Sequence, residues 1–372
     1  MKKNNTEQKH RKGNSDGNWQ ALEGLTIGID LGDKRSCYCV LDRDGEKIEE
    51  GSLSNSRAEL AKHFGSCRRA RMALETGAQT GWISQELEAL GQEVIVANAR
   101  ELRAISGSGR KSDRRDAEKL ARYARVDPSI LRPVRVRGAQ AQLDLGRIRA
   151  RDALVRARTL LVNAARGLAK TRGQRLARSV TASFGERSQA LLERELATAL
   201  RPLLQQIDAL GEQIKRYDQQ IEQLAAERYP DSAALDAVPG VGPLTALSYV
   251  LTLEDAGRFR HSREVGPYLG LCSGRRQSSG SDPKLRISKE GDEYPRRLLV
   301  QCAHWILGRF GTDSALRRWG LRLAQSGGKD GPKRARVAVA RKLAVLLHHL
   351  WVTQQPYRAF PQGQAGAAPA SS

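Results

Sequence analysis

The sequence predicts a mixed α/β domain at its N-terminal end, a long helical middle and a mostly helical C-terminal domain. Three observations carry this. Between residues 25 and 97, short apolar runs of strand length alternate with turn and helix signals. From about residue 113 onward the apolar spacing becomes that of helices. Between Leu196 and Leu224 apolar residues recur in alternating steps of four and three, which is a heptad seam.

Taken in order, residues 1–22 are polar, lack periodicity and predict a disordered basic arm. Leu25–Asp30 reads as the first strand, an apolar run ending in an acid. Ser36–Asp42 is the second, and its Cys37 and Cys39 face one side, where a core role suits them. Asp44-Gly45 is a hairpin signal before a third strand, Lys47–Leu53. Arg57–Phe64 is helical. Arg71–Glu75 is a fourth strand that also ends in an acid. Thr80–Leu90 is an amphipathic helix, and Glu93–Ala97 the fifth strand. Three antiparallel strands followed by alternating helix and strand form a ribonuclease-H-like pattern, in which strands one and four are neighbours. This domain is expected to span 23–136.

The middle, 137–230, opens with an Arg-rich helix from Gln140 to Lys170. The seam follows through Leu196, Leu200, Leu203, Ile207, Leu210, Ile214, Tyr217, Ile221 and Leu224. It predicts a coiled coil, within the chain or between chains as a dimer or tetramer. Pro202 predicts that the uninterrupted helix starts near it. The C-terminal domain is expected over 231–355, and 356–372 as a tail.

Composition narrows the function. The 372 residues carry 63 Lys and Arg against 41 Asp and Glu, a net charge of +22. Ten basic residues and a single acid, Asp152, fall between Arg147 and Arg178. A polyanion relieves such self-repulsion, and nucleic acid does so with counterion release. Lys111, Arg147, Arg151 and Arg158 are therefore candidate backbone contacts. No apolar run reaches the roughly 18 residues of a membrane span. Five irregularly spaced cysteines exclude a disulfide scaffold and a zinc ribbon. A cytoplasmic location is expected.

Four stretches carry candidate chemistry. Asp30 and Glu75 end neighbouring strands, while Asp113 and Asp116 share one face of a helix. Four converging carboxylates repel unless a cation sits among them, and their hard oxygens suit Mg2+ or Mn2+. In Val238–Thr245, Pro239, Gly240 and Gly242 form a tight turn before a helix N-terminus, the helix-hairpin-helix pattern that holds a phosphate. Gly274–Pro283 is a Gly- and Ser-rich stretch with Arg275 and Arg276, readable as a linker or as a nucleophile with phosphate clamps. Lys333–Lys342, with Lys333 and Arg334, is a helix with one basic and one apolar face. The adjacent His348 and His349 have no ligand or triad spacing.

Several of these stretches also match a known family. Gly28-Ile-Asp-Leu-Gly32, Leu74-Glu-Thr-Gly77, Val94–Asn98, Lys111–Lys119, Pro239–Ala246, Tyr268–Leu271 and Arg286–Lys289 occur in the order found in the DEDD insertion-sequence transposases. These are RNA-guided (bridge RNA) serine recombinases, typified by insertion sequence one-ten, and the chain resembles them from about residue 25 to 355. The resemblance implies a RuvC-like N-terminal domain, a coiled-coil connection and a C-terminal transposase domain carrying a serine. It implies Asp30, Glu75, Asp113 and Asp116 as the metal-holding acids and Ser278 as the nucleophile, with Ser279 one register away. It further implies DNA and a structured guide RNA as partners. The chain departs from the family pattern at Ser273-Gly274, where a Pro-Arg step is common. Two other classes fit the residues: a metal-dependent junction nuclease acting through water, and a non-catalytic nucleic-acid-binding protein.

Overall fold

The computed structural model describes residues 19–98, 112–176, 183–274 and 285–360. Lys111, Arg275, Arg276, Ser278 and Ser279 lie outside the described residues. The chain forms two compact units, Met1–Gln142 and Leu143–Ser372.

The first unit is built on a five-stranded sheet in the order β3-β2-β1-β4-β5. Its strands are β1 (Thr26–Asp30), β2 (Arg35–Leu41), β3 (Lys47–Ser54), β4 (Arg71–Glu75) and β5 (Glu93–Ala97). β1 runs antiparallel to β2, and β2 to β3; β1 and β4 are parallel, as are β4 and β5. Every strand lies where the apolar runs place it. The helices α1 (Arg57–Phe64) and α2 (Thr80–Ala89) cover one face. There Ile27, Ile29, Met72 and Leu74 pack on Leu60, Phe64, Ile83 and Leu87.

The opposite face belongs to α3 (Asp113–Val126). Ala73, Ile95 and Ala97 meet its Leu120 and Ala124, while Cys39 and Leu41 meet Ala117 and Ala121. The two β2 cysteines do share a face. Burial holds the Cys39 thiol up at about 11, so it acts as a small core residue. Strand β5 is covered at its outer edge: Val134 donates its amide to Val96 (2.8 Å) and Asn98 donates to Leu131 (3.0 Å).

In the second unit, α4 (Ala139–Thr171), from Leu143 onward, pairs antiparallel with α6 (Arg194–Arg228); α5 (Phe184–Leu191) lies between them in sequence. The pairing is a ladder. The wholly buried Asp144 accepts bonds from Arg147 (2.9 Å), Arg228 (3.0 Å) and the Tyr229 hydroxyl (2.9 Å). Arg151 meets Asp218 at 2.8 Å. Further along, Val162, Ala165 and Ala169 pack on Leu200, Leu204 and Ile207. Burial and the Asp144 bond push the Tyr229 phenol up to about 12. In the heptad seam, Leu200, Ile207, Ile214, Ile221 and Leu224 are buried, whereas Leu203, Leu210 and Tyr217 are half-buried.

Pro202 does not mark the start of this helix. Helix α6 begins at Arg194 and runs through Pro202. Proline in a helix interior removes one backbone bond. Packing of Ala197, Leu200 and Leu204 on either side of it outweighs that loss.

The remaining helices are α7 (Ser232–Asp236), α8 (Pro243–Leu253), α9 (Val265–Tyr268), α10 (Glu293–Leu307), α11 (Ala315–Ser326) and α12 (Gly331–Thr353). They share one core around Tyr249, Leu299, Leu343 and Leu347. The Tyr249 hydroxyl donates to the Ala344 carbonyl at 2.6 Å. Among the described residues no helix is long and apolar enough to cross a membrane.

His348 is part of this core, 1% exposed. Its Nε2 lies 3.0 Å from the Ala256 carbonyl, so that nitrogen carries the proton; Nδ1 then accepts from the Ser262 hydroxyl at 2.9 Å. Burial, helped by His349, depresses its pKa below 6.5, against the opposing Ala256 bond and Glu264. The native state therefore binds fewer protons than the unfolded chain. Its contribution to stability is complete above about pH 6.5 and is lost as pH falls through the depressed value. The melting temperature of wild type should fall from about pH 7.5 to about pH 5, and His348→Gln should flatten that slope. Parallel curves for the two proteins would assign the acid sensitivity elsewhere.

Candidate active site

The two strand-end acids are brought together by register. Ile29 pairs with Leu74 across the parallel β1–β4 ladder, so Asp30 and Glu75, the next residue on each strand, end it side by side. Side chains alternate along a strand. Ile29 and Leu74 face α1 and α2, so Asp30 and Glu75 share the α3 face with Gly28 and Ala73.

Helix α3 runs against the direction of β1 and β4. Arg71, at the start of β4, donates to Ala124 near the end of α3 (3.2 Å). Arg125 donates to Arg43 in the β2–β3 turn (3.0 Å). The first turn of α3, with Asp113 and Asp116, therefore lies at the edge where Asp30 and Glu75 end. The close approach depends on Gly28. A Cβ built there would come 1.9 Å from the Ala117 carbonyl oxygen and 2.5 Å from the Ala121 nitrogen.

Cys37 reports the same convergence. It pairs with Asp30 across β1–β2. Burial pushes its thiol up, with the negative charges of Asp113 and Asp30 adding to the shift. Asp116 pairs with Lys119 at 3.2 Å, and Glu50 draws Arg114 to 3.5 Å. The Glu75 backbone is locked locally: the Thr80 hydroxyl donates to the Glu75 carbonyl and accepts from the Gly77 amide, each at 2.7 Å. Thr80 lies in none of the quoted motifs, and Gly28 opens one without its spacing giving the reason; the fold supplies both, Thr80 through the Glu75 carbonyl and Gly28 through the seat of α3.

The donor set at this edge is all carboxylate oxygen, which fits a hard divalent cation. Cys37 offers a soft sulfur, which does not suit such a cation. Among the described residues no group of three or more His, Cys, Asp or Glu side chains is drawn together as a finished metal-binding cluster. The edge gathers the carboxylates without closing them on a common centre.

In the second unit, the stretch expected to be a loop has a built base. Ser273 and Ile287 form an antiparallel bridge. Gly274 donates to Arg286 (3.0 Å) and Ser288 to Cys272 (2.8 Å). The buried Arg296 guanidinium ties this base down by donating to the carbonyls of Leu269 (3.0 Å) and Glu290 (2.7 Å). The two sides of this hairpin base are joined in sequence by residues 275–284, which carry both candidate serines and the Arg pair.

The turn at Pro239–Gly242 joins the five-residue α7 to α8. Gly240 has φ +90°, and a Cβ there would come 2.5 Å from the Trp305 ring. Gly242 caps α8, and the amides of Thr245 and Ala246 both bond its carbonyl (2.9 and 3.0 Å). Of the basic residues singled out, Arg147 and Arg151 are held by Asp144 and Asp218, so their charge is largely spent inside the helix pair. Arg158 lies against Gly211. Lys333 and Arg334 are exposed on α12.

Comparison with known proteins gives the family. Residues 27–171 match the DEDD transposase family model, and residues 232–319 match the transposase family IS116/IS110/IS902. A probable family 20 transposase of Pseudomonas aeruginosa is 30% identical over 343 residues, covering 89% of this chain and 98% of that protein. The transposase for insertion sequence element IS1111A of Coxiella burnetii is 26% identical over 89% of this chain and 91% of its own length. That for IS1328 of Yersinia enterocolitica is 28% identical over 76% of this chain and 84% of its own. The chain belongs to the IS116/IS110/IS902 family of transposases, DNA-binding enzymes that cut and rejoin DNA.

Proposed function

We propose that this transposase moves its insertion sequence by serine-based strand exchange on a ribonuclease-H-like, RuvC-type carboxylate domain, guided by a structured RNA. The observation that carries the reading is the shared edge of Asp30, Glu75, Asp113 and Asp116, set by the β1–β4 register and the close seat of α3 on Gly28. These four would hold Mg2+ or Mn2+, which when bound neutralises charge on the scissile phosphate. Ser278 attacks the phosphorus through its Oγ, giving its proton to a general base. A serine–phosphate ester forms as the phosphorus–oxygen bond to the departing DNA hydroxyl breaks, and that hydroxyl takes up a proton. The reverse attack by a hydroxyl of the exchanged strand rejoins the DNA without an external energy source. Ser279 is the alternative in the next register. Arg158 of α4, Lys333 and Arg334 of α12 and the turn at Gly240 and Gly242 contribute contacts to RNA and DNA phosphates, chiefly by shape.

The α6 seam is turned toward α4 in the same chain. A second copy would meet the outer face of α4, where Leu143, Leu160 and Leu168 are 58, 69 and 47% exposed. The homodimer or tetramer expected through the heptad seam would use that face instead, since the seam is occupied within the chain.

The test is a covalent trap. Full-length protein, element-end DNA, guide RNA and Mg2+ are incubated, denatured and examined for protein-linked DNA. A link lost in Ser278→Ala and kept in Ser279→Ala is the expected result; the opposite pattern moves the nucleophile by one. Cleaved DNA without any link would replace the serine mechanism with a water-based nuclease.

A further inference from the structure

We infer that the basic cleft at the foot of the serine hairpin seats the DNA strand to be cut, with Arg286, Lys289, Arg341 and Lys342 on its phosphates and Trp319 as its apolar wall. The inference rests on the reading that this hairpin carries the nucleophile, and it adds the binding site for the substrate strand.

The cleft has a volume of about 1450 Å³. That exceeds the roughly 300–1000 Å³ of small-molecule pockets and suits a polymer. One wall is the hairpin base, with Gly274 on one side and Leu285 on the other; the second wall is a face of α12. Among the described residues, six basic side chains and one acid, Asp330, line it, and Asp330 lies 3.6 Å from Lys333. A concave surface with one sign of charge and apolar walls concentrates an anionic ligand.

The α12 face is built for this. Ala335, Val339, Ala340, Leu343 and Ala344 point into the core, so the helix period turns Arg341 and Lys342 outward together. Arg341 is held along the Gly266 backbone, 3.2 Å from where a Cβ would lie. The Lys342 ammonium rests 4.4 Å above the Trp319 ring. A phosphate can draw this ammonium off the ring, and the bared indole face then offers a stacking surface for a base. DNA is favoured over RNA by position: only a strand being cut must reach the base of the serine segment.

The test uses the full-length chain with both Ser278 and Ser279 changed to Ala, so that binding is read without chemistry. The probes are an element-end DNA and, separately, the guide RNA, each titrated over a range of KCl. Arg341→Gln with Lys342→Gln is expected to weaken DNA binding on the order of tenfold at physiological salt. It should also lower the slope of log affinity against log salt by about 2. RNA affinity should stay within about twofold, since these two cations hold DNA phosphates and leave the guide to other surfaces. DNA carrying 5-iodouracil should photo-crosslink to the Trp319 peptide. Both side chains are exposed, so an unchanged melting temperature verifies folding. An unaltered DNA slope overturns the inference, and an equal loss of RNA binding makes the cleft a guide-RNA seat instead. The covalent trap is read separately: loss of the serine link with an intact Trp319 crosslink rejects the nucleophile, whereas a link with no crosslink rejects the cleft.

Discussion

Asparagine at Asp30 is expected to lower strand cleavage by on the order of a thousandfold or more, while leaving the chain folded. Asp30 ends β1 half-buried, where its backbone is held by the β1–β2 ladder, so the amide replaces the acid without a change of shape. What changes is charge. One of the four carboxylates at the edge becomes neutral, and in the proposed site the attraction for a divalent cation falls with it. A second reading separates this from a general defect. Wild type should gain thermal stability on addition of millimolar Mg2+ or Mn2+, because a ligand that binds the native state stabilises it. Asp30→Asn should lose most of that gain, and Glu75→Gln should behave alike, since the two acids are neighbours in register. Wild-type cleavage in either variant, or an undiminished metal-induced shift, would remove these acids from a common metal site.

The strands were legible because each is a short apolar run bounded by turn residues, and the two with acids at their ends announce the edge. The seat of α3 was not. Gly28 can be read as part of a motif, but its reason is the approach of the Ala117 carbonyl, a residue far along the chain. The heptad seam shows that α6 needs a partner without saying which. Its answer lies in Asp144, wholly buried, and Arg228, 84 residues apart, with Tyr229 beside them. Arg147 and Arg151 read as free charge because their acids are supplied by the fold or lie in the same turn. Pro202 misleads for a related reason, since a local rule yields to tertiary packing. The basic face of α12 was visible as a charge pattern, whereas the hairpin base that makes it a cleft depends on Arg296, a residue no motif singles out.

Alanine at Gly28 should be the most damaging single methyl group in the first unit. The added Cβ meets a carbonyl oxygen and an amide nitrogen, both backbone atoms of α3. No rotamer change relieves that, and Ala117→Gly offers no rescue because the colliding atoms remain. The helix must lift off the sheet, uncovering Ala73, Cys39 and Leu41 beneath it. Overpacking of this kind costs roughly 1–3 kcal/mol and occasionally more, and contact with backbone puts it at the upper end. The functional consequence is larger than the thermodynamic one. Asp113 and Asp116 ride on the helix that moves, so the edge loses its geometry with all four carboxylates still present. Cleavage should fall by about a hundredfold or more even where most of the protein stays folded, as small misplacements at reacting centres do. Gly146→Ala and Gly167→Ala are the matched controls: both lie in α4 with nothing within 4 Å of the added methyl. Each should stabilise that helix by up to about 1 kcal/mol through propensity alone. Melting curves and cleavage assays on the three variants decide the matter, and a Gly28→Ala protein as stable and active as wild type would show that α3 does not depend on this close seat.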